Sequence, residues 1–386
     1  MRREFAYGIV GLGGIGSAAA FRLAARAPGE VIGFEQFELG HHRGASEDHS
    51  RIIRRSYHTA GYVRLAAEAY RAWTEVEEAS GERLVVRTGG LDLAPEGAAI
   101  PLDDYADAMR AEGVPFEKLD GDEVLRRWPQ WRLPAGTRAL FQEDGGLVAA
   151  TRANEAHRRL AFECGAVLRD RSPVTAVRDA GGEVEIEAGG ERYRVGTLVV
   201  ATDAWTNSVS ALLGAPRLPL TVTKEQVVYF DAPSEFAPDR FPAWIWMDDP
   251  SFYGVPSFGH PGPKVGQDAG GPEVDPAARS DQPDPGALER VRSFVRDHLP
   301  FAGDEAVVRT CLYTMPPDRD FVLDRVPGHP RALVALGAAH GFKFAAWFGK
   351  ALAELAIDGT TGAELTPFSF DRPVLQEADP PKRFLV

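Results

Sequence analysis

The chain opens with alternating apolar and helix-forming segments. Residues 5–10 form a short apolar run, FAYGIV, and residues 30–37, EVIGFEQF, form a second run. Between them, residues 17–27 are rich in helix formers and contain neither proline nor glycine. This pattern predicts a strand, a turn, a helix and a second strand at the start of the chain.

Glycines mark the predicted turn. They spell G-x-G-x-x-G at Gly11, Gly13 and Gly16, and Glu35 ends the second strand, about twenty residues further on. In a dinucleotide-binding unit, Gly11 permits the tight turn, Gly13 lets backbone N–H groups approach a pyrophosphate, and Gly16 lets the helix pack closely. An acid at position 35 suits a free ribose 2′-hydroxyl, as in NAD or FAD, and disfavours NADP.

A secretory signal peptide is the alternative interpretation of the same segment. Arg2 and Arg3 precede an uncharged stretch, residues 7–21, after which small residues follow. The stretch is too short to span a bilayer. Its five glycines fit poorly in an apolar helix. Dinucleotide binding is therefore favoured, and we expect a cytoplasmic protein.

The middle of the chain predicts helices followed by a β-meander. Residues 62–81 and 151–165 have helical periodicity, and residues 101–131 are predicted to be helical with a polar face. Residues 172–203 are alternating or apolar β runs. They end in an apolar strand of the parallel type, residues 197–202.

The second half returns to the βα pattern. Residues 218–258 contain strand-like runs with many aromatic residues, and residues 266–285 are rich in Gly, Pro and Asp, which predicts a surface loop. A short helix is predicted at 287–299, further strands over 307–336, and a final helix at 345–359. Because the nucleotide unit stands at the front and βα segments return at the end, we expect two interwoven domains.

Composition, charge and missing motifs exclude several classes of function. The 386 residues include 43 Lys+Arg and 56 Asp+Glu, for a formal net charge of −13, which argues against nucleic-acid and anionic-membrane partners. The two cysteines, Cys164 and Cys311, are too few for a disulfide framework or a Cys-rich zinc site. The nine histidines lack metal-ligand spacing, so no metal is expected. The motifs G-x-S-x-G, H-E-x-x-H and the P-loop are absent.

Several cationic positions are candidates for chemistry. Arg51 and Arg54 flank two isoleucines, a spacing that suits either a solvated basic patch or anion recognition. Lys343 follows a glycine turn and precedes a helix, a favourable place for an anion. Lys264 lies among aromatic residues, as a surface feature or as a buried charge near a cofactor. Considered alone, Cys311 is predicted to be a buried, inert thiol.

Seven collinear segments resemble the monomeric sarcosine oxidase family, which also contains N-methyltryptophan oxidase and related flavin amine oxidases. The segments are GIVGLGGIGSAAAFRLA with Glu35, GASEDHSRIIRRSYH, RTGGLDL, LVVATDAW, FYGVPSFGHPGPKVG, CLYTMPPDRDFVLD, and GAAHGFKF followed by FSFDRPVL. The resemblance implies FAD rather than NAD. It also implies a mixed α/β fold, in which a Rossmann-type FAD-binding domain is interwoven with a second domain built on a mostly antiparallel sheet, as in sarcosine and D-amino-acid oxidases.

The resemblance assigns roles position by position. Cys311 matches the cysteine that bonds the flavin 8α carbon through sulfur, which reverses the inert interpretation. Arg54 and Lys343 match a pair that holds the substrate carboxylate. The positions assigned to FAD are Gly11, Gly13, Gly14, Ile15, Gly16, Glu35, Gln36, Ser50, Arg51, Val174, Cys311, Gly337, Gly341, Phe342 and Lys343. The positions assigned to catalysis are Lys264, Arg51, Tyr253 and Asp268, with Arg51 and Lys264 flanking the isoalloxazine and Tyr253 also forming a wall of the substrate pocket.

Two positions depart from the family pattern. Asp268 stands where sarcosine oxidases carry a histidine, four residues after Lys264. Its carboxylate would either pair with a cationic amine or turn to solvent. Asp203 stands where a glycine is usual, in ATDAW, which would alter the approach of the backbone to the cofactor.

Domain boundaries are predicted at the changes of pattern. Residues 1–80, 141–218 and 305–386 are assigned to a discontinuous FAD-binding domain. Residues 81–140 and 219–304 are assigned to the substrate domain.

The implied reaction is oxidation of a secondary, N-methyl α-amino acid such as sarcosine to an imine, with O₂ reduced to H₂O₂. Three alternatives remain: oxidation of a cyclic imino acid such as pipecolate or proline, a dehydrogenase with another electron acceptor, and a non-catalytic FAD-binding protein. The expected partners are a small amine or amino acid and O₂, and the family precedent is a monomer.

Overall fold

The computed structural model describes residues 2–46, 48–377 and 380–381, which form eight α-helices. Their bounds are α1 (Gly14–Arg26), α2 (Ala60–Ser80), α3 (Leu102–Ala111), α4 (Gly121–Arg127), α5 (Ala150–Glu163), α6 (Thr206–Leu212), α7 (Pro285–His298) and α8 (Ala345–Ile357). Among these described residues, no helix combines the length and the apolar character needed to cross a membrane.

The strands belong to three sheets. Their bounds are β1 (Glu4–Val10), β2 (Val31–Phe34), β3 (Ser50–Ile53), β4 (Val85–Arg87), β5 (Gly90–Ala94), β6 (Glu117–Asp120), β7 (Arg138–Gln142), β8 (Gly146–Ala149), β9 (Val167–Arg169), β10 (Val174–Asp179), β11 (Val184–Ala188), β12 (Glu191–Val200), β13 (Thr221–Phe230), β14 (Ala243–Trp246), β15 (Phe252–Val255), β16 (Lys264–Gln267), β17 (Glu305–Met315), β18 (Val322–Val326) and β19 (His329–Leu336).

The first sheet is centred on β1. This strand pairs in parallel with β2 on one side and with β12 on the other, and β12 pairs in parallel with β19. The antiparallel strands β10, β11 and β12 form the predicted meander. Residues 7–21 therefore belong to a strand, a glycine turn and a helix, as the dinucleotide-binding interpretation predicts.

Helix α1 packs closely against its neighbours because its buried face is built of small residues. Three consecutive alanines, Ala18–Ala20, are fully buried. Helix α8 contacts α1 through Gly349, where an added Cβ would lie 2.7 Å from the backbone carbon of Ala18. The two helices can approach this closely only because position 349 lacks a side chain.

The second sheet has the order β17-β13-β16-β15-β14-β5-β7-β6 and is antiparallel except between β14 and β5. It carries three of the predicted site residues, Tyr253, Lys264 and Cys311. A small third sheet, β3-β8-β4, carries Arg51. A sheet with parallel βαβ pairing beside a mostly antiparallel sheet confirms the expected mixed α/β fold class.

The division into two domains stays a prediction. Strand β17 pairs along its length with β13, so hydrogen bonding associates residues 305–315 with the second sheet. The predicted boundary at residue 305 instead assigned this strand to the FAD-binding segments.

The prediction of a helical region over residues 101–131 was wrong in part. The segment forms α3, a short strand β6 and α4, with a turn after α3. Gly113 has a φ of +64°, which a continuing helix does not allow, and Pro115 follows two residues later. The predicted loop over 266–285 begins two residues later than expected, because Gly266 and Gln267 still belong to β16.

Candidate active site

The glycine turn between β1 and α1 holds the backbone close to its neighbours. Gly11 has a φ of +88°, and a Cβ there would lie 2.4 Å from the carbonyl oxygen of Ala201. A Cβ on Gly13 would lie 2.8 Å from Oγ of Ser46, and one on Gly16 would lie 1.8 Å from the carbonyl oxygen of Gly11. Contacts with backbone atoms therefore require glycine at positions 11 and 16, whereas the contact at Gly13 is with a side-chain hydroxyl.

Glu35 follows β2 and lies beside this turn. Its carboxylate accepts hydrogen bonds from the backbone N–H groups of Leu12, at 3.0 Å, and Phe37, at 3.2 Å, and lies 3.3 Å from Nε2 of His41. Burial alone would raise the pKa of Glu35, but the contacts with His41 and Leu12 outweigh it, so the pKa is lowered. Glu35 is thus an ionised acceptor fixed next to the glycine turn.

A cavity of about 490 Å³ brings the predicted cofactor and substrate positions together. Every predicted site residue except Gly16 lines it. The lining positions among those predicted are Gly11, Gly13, Gly14, Ile15, Glu35, Gln36, Ser50, Arg51, Arg54, Val174, Tyr253, Lys264, Asp268, Cys311, Gly337, Gly341, Phe342 and Lys343. Gly16 packs against the turn itself, in keeping with its predicted part in helix packing.

Lys264 is buried at the start of β16 and fixed by two acceptors. Its Nζ donates to Oδ2 of Asp48, at 2.9 Å, and to the carbonyl oxygen of Ser50, at 2.6 Å. Asp48 has two further neighbours. The hydroxyl of Tyr229 donates to its Oδ1, and Nη1 of Arg51 lies 3.6 Å from its Oδ2. Burial would raise the pKa of Asp48, but Lys264 and Arg51 hold it well below its usual range. Burial lowers the pKa of Lys264, and Asp48 opposes that shift.

Arg54 lies just beyond the end of β3. Its Nη1 donates to Oδ1 of Asp92 at 3.0 Å, and Ser56 donates to the other oxygen of that carboxylate. The guanidinium lies over the ring of Tyr57, 5.1 Å from the centroid. Arg54 is therefore a buried cation in a fixed position.

Lys343, which is distant from Arg54 in the sequence, lies near the same aromatic ring. It stands in the 3-10 turn Gly341–Phe344 that leads into α8, and its Nζ lies 5.6 Å from the ring centroid of Tyr57. Burial and the neighbouring Arg54 lower the pKa of Lys343 to about 7, and Asp268 opposes that shift. The structure thus brings together the two residues that the resemblance assigns to a carboxylate.

Asp268 is partly exposed and forms an ion pair with a buried arginine. Arg319, which is buried, donates to both of its carboxylate oxygens, at 2.8 and 3.2 Å. From the sequence, this carboxylate was expected either to pair with a cationic amine or to face solvent. Neither expectation included Arg319. The carbonyl oxygen of Arg319 in turn lies 2.9 Å from Nε2 of His340. Because a carbonyl oxygen only accepts, Nε2 of His340 carries the proton.

Tyr253 and Cys311 occupy neighbouring parts of the cavity wall. The hydroxyl of Tyr253 lies 3.3 Å from that of Tyr313, and burial raises the pKa of Tyr253. Cys311 lies on β17, directly opposite Glu225 of β13. Burial raises the pKa of the Cys311 thiol to about 11, against the attraction of Arg51.

Three functional positions were missed from the sequence, Asp48, Asp92 and Arg319. Asp92 had a signal, because an acid between two leucines in an apolar strand predicts a buried partner. Asp48 and Arg319 gave none, because both stand in polar segments among several charged residues. Their partners, Lys264 and Asp268, are distant in the sequence.

The residues present fit a dinucleotide with a free 2′-hydroxyl. Positions 11 and 13 are occupied by glycine where a Cβ would fill the space beside the turn. Glu35 supplies an ionised acceptor, and the turn leads into α1, whose first N–H groups suit a pyrophosphate. FAD would be held here by Gly11, Gly13 and Glu35.

Comparisons with known proteins agree with this site. Residues 7–355 match the family described as FAD dependent oxidoreductase. The chain is 33% identical to monomeric sarcosine oxidase of Streptomyces avermitilis over 368 residues, 92% of this chain and 94% of that protein. It is 30% identical to N-methyl-L-tryptophan oxidase of Salmonella arizonae over 371 residues, 94% of this chain and 98% of that protein.

A solved structure extends the likeness to the fold. NikD, described as an unusual amino acid oxidase essential for nikkomycin biosynthesis, superposes in its open form with a TM-score of 0.85 and 25% identity, over 95% of this chain and 98% of that chain. The predicted resemblance and FAD as the predicted cofactor are therefore confirmed, whereas the bond from Cys311 to the flavin stays a prediction. The chain belongs to the family of FAD-dependent oxidoreductases and is an FAD-dependent amine oxidoreductase.

Proposed function

We propose that the protein oxidises a secondary α-amino acid of the N-methyl kind, to which sarcosine belongs. The carbon next to the nitrogen loses a hydride equivalent to give an imine, which water hydrolyses to an aldehyde or keto acid and an amine. FAD, held by Gly11, Gly13 and Glu35, would supply the redox chemistry, with O₂ as the final acceptor of the electron pair and hydrogen peroxide as its product. Substrate binding, orientation and charge are supplied by side chains of this protein.

The juxtaposition of Arg54 and Lys343 on the ring of Tyr57 is the observation that carries this proposal. Two buried cations from separate segments lie near one aromatic ring and supply the positive charge that a substrate carboxylate would bind. Asp92 keeps the Arg54 guanidinium in place. A substrate held by its carboxylate presents its neighbouring carbon in a fixed direction, which lowers the entropic part of the barrier.

The local charges match a substrate with one carboxylate. The buried cations are Arg54, Lys343 and Arg319. The acids are Asp92 and Asp268, each ion-paired to one of the arginines. Within the described part of the chain, the ammonium of Lys343 is the member of this group that no carboxylate binds. A single substrate carboxylate supplies that anion.

The substrate amine must lose its proton before the carbon–hydrogen bond breaks. A positive, water-poor site lowers the pKa of a bound ammonium, just as it lowers the pKa of Lys343 to about 7. Both oxygens of Asp268 accept hydrogen bonds from Arg319, so that carboxylate is engaged within the protein. This arrangement favours the neutral amine.

Lys264 supplies the positive charge expected of an oxidase. Its ammonium is buried and held by Asp48 and the Ser50 carbonyl, so its position does not depend on substrate. A fixed cation stabilises negative charge that develops on oxygen.

A thioether between Sγ of Cys311 and the 8α carbon of FAD is a second part of the proposal. In its formation the S–H bond and one 8α C–H bond would be lost as two protons, and the electron pair released would pass through the flavin to O₂. Cys311 lines the cavity, and Arg51 attracts its thiolate form. The resemblance to monomeric sarcosine oxidases supports the same bond.

The test compares sarcosine with dimethylamine, which has an N-methyl amine but no carboxylate. We expect sarcosine, and not dimethylamine, to bleach the flavin absorbance of the holoenzyme without oxygen and to yield H₂O₂ in air. Lys343→Met should raise the KM for sarcosine about tenfold or more, because a hydrogen bond to a charged group contributes about 1.5–3 kcal/mol. Lys350→Met, at an exposed lysine paired with Glu75, is the matched control. Equal bleaching by both amines would contradict the proposal.

A dehydrogenase of the same substrates is the second candidate. The ion pair between Lys264 and Asp48 reduces the net charge available to oxygen, which favours another electron acceptor. Substrate-dependent reduction of an artificial acceptor, together with slow H₂O₂ formation in air, would favour this candidate.

A further inference from the structure

Asp203 lies beside the glycine turn although it is far from it in the sequence. Strand β12 ends at Val200, and Asp203 opens the short 3-10 turn Asp203–Trp205 three residues later. Because β12 and β1 are parallel neighbours, their carboxyl ends meet at one edge of the sheet. That edge is where open α/β sheets bind ligands, and Asp203 lines the cavity there together with Gly11.

The backbone of Asp203 is in a conformation that disfavours an aspartate. Its φ is +45°, in the left-handed region that glycine adopts freely. A non-glycine residue in this region is strained, and such residues cluster at ligand sites. The chain therefore retains a carboxyl group at a position where glycine would relieve strain.

The carboxyl group of Asp203 is poorly satisfied by the protein. Its Oδ2 is buried and, among the described residues, has no hydrogen-bond partner. A buried polar atom left without a partner is unfavourable by about 1–3 kcal/mol, so such atoms at a cavity point to a ligand.

The protonation state of Asp203 allows its carboxyl group to donate a hydrogen bond. Burial raises the pKa of Asp203 to about 7, against the opposing effects of Thr314 and the Ala204 backbone. At neutral pH a large fraction of the carboxyl therefore keeps its proton. An ionised carboxylate would repel a pyrophosphate, whereas a carboxylic acid donates to it.

We propose that Asp203, as a carboxylic acid, donates a hydrogen bond to an oxygen of the ribityl–pyrophosphate chain of FAD. This oxygen of FAD would give the carboxyl group the hydrogen-bond partner that the protein does not supply. The strain at position 203 is thus retained for cofactor binding. This inference rests on the FAD assignment and not on the proposed amine substrate.

The test measures FAD affinity and stability in the same variants. Full-length protein carrying Cys311→Ala, so that flavin binds reversibly, is freed of flavin and titrated with FAD by quenching of flavin fluorescence. Asp203→Gly removes the carboxyl and the strain together. We expect its Kd for FAD to rise about tenfold, the scale of a hydrogen bond to a charged group, while the Tm of the flavin-free protein stays equal or rises. Asp203→Asn, which keeps an N–H donor of the same shape, should stay within about threefold of the parent.

The opposite pattern overturns the proposal. If Asp203 served only the local fold, Asp203→Gly would lower the Tm of the flavin-free protein and leave the Kd for FAD unchanged; an unchanged Kd in Asp203→Gly rejects the proposal whatever the Tm. If Asp203→Asn and Asp203→Gly weakened FAD binding equally, an N–H donor at this position would not be sufficient for affinity. That result would reject donation by the carboxylic acid. Failure of the parent itself to bind FAD would contradict the cofactor assignment instead, so the two failures are distinguishable.

Discussion

Nζ of Lys264 lies 2.9 Å from Oδ2 of Asp48, in an ion pair that joins residues 216 positions apart in the sequence. Arg51 lies 3.6 Å from the same oxygen, so the Asp48 carboxylate stands between two buried cations. Its loss would leave both cations to repel each other in a poorly hydrated cavity.

Asp48→Asn tests the oxygen chemistry. Burial already lowers the pKa of Lys264, and Asp48 opposes that shift, so the variant should lower this pKa further. We expect reoxidation of the reduced enzyme by O₂ to slow about tenfold at pH 8, while reduction of the flavin by substrate is retained. Stopped-flow absorbance separates the two half-reactions. Asp239→Asn, at an exposed position, is the control; unchanged reoxidation in Asp48→Asn would reject this role for the pair.

Lys343 should make carboxylate binding sensitive to pH. Burial and Arg54 lower its pKa to about 7, and only the protonated form attracts an anion. The affinity for acetate, which has a carboxylate and no amine, should therefore fall as the pH rises, and be about tenfold weaker at pH 8 than at pH 6. Titration of the flavin spectrum measures the Kd. Lys343→Met should remove the slope and Lys350→Met should keep it; a flat profile in the unaltered enzyme would refute the assignment.

The ion pair between Asp268 and Arg319 should restrict the substrate side chain. Asp268→Asn removes the carboxylate to which Arg319 donates two hydrogen bonds, and so increases the positive charge at the cavity. We expect kcat/KM for N-methylaspartate to rise about tenfold relative to that for sarcosine. Steady-state rates with both substrates give the ratio, and a ratio equal to that of the unaltered enzyme would show that the pair does not face the substrate.

Cys311→Ala tests the flavin bond. After acid precipitation, yellow colour should remain in the pellet of the unaltered protein and leave with the supernatant of the variant. Absorbance of the two fractions measures the distribution. Colour in both supernatants would mean that FAD is bound without a thioether. In that case the assignment of Cys311 fails, while FAD as the cofactor is retained.

Local patterns predicted the nucleotide unit well, because a tight turn, a helix start and a strand end are specified by adjacent residues. Gly11, Gly13 and Glu35 therefore lie where the sequence placed them. The break at Gly113 was missed, because a polar helical pattern continues on both sides of it.

The ion pairs of the cavity could not be predicted in the same way. Lys264 begins β16 of the second sheet, whereas Asp48 lies in the loop before β3. Only the folded chain determines which of many acids contacts which cation. For the same reason, Asp268 was noticed as a departure from the family but its partner Arg319 was not.

The position of β19 has a consequence for the assembly of the protein on the ribosome. This strand pairs with β12 near the centre of the first sheet and leads directly into residues 337–343, all of which except Ala338 line the cavity that begins at the glycine turn. A nascent chain that has emerged only as far as β18 holds the glycine motif but lacks one wall of the cavity. The complete cavity, and FAD bound by all of its walls, therefore requires that nearly all of the chain has been synthesised.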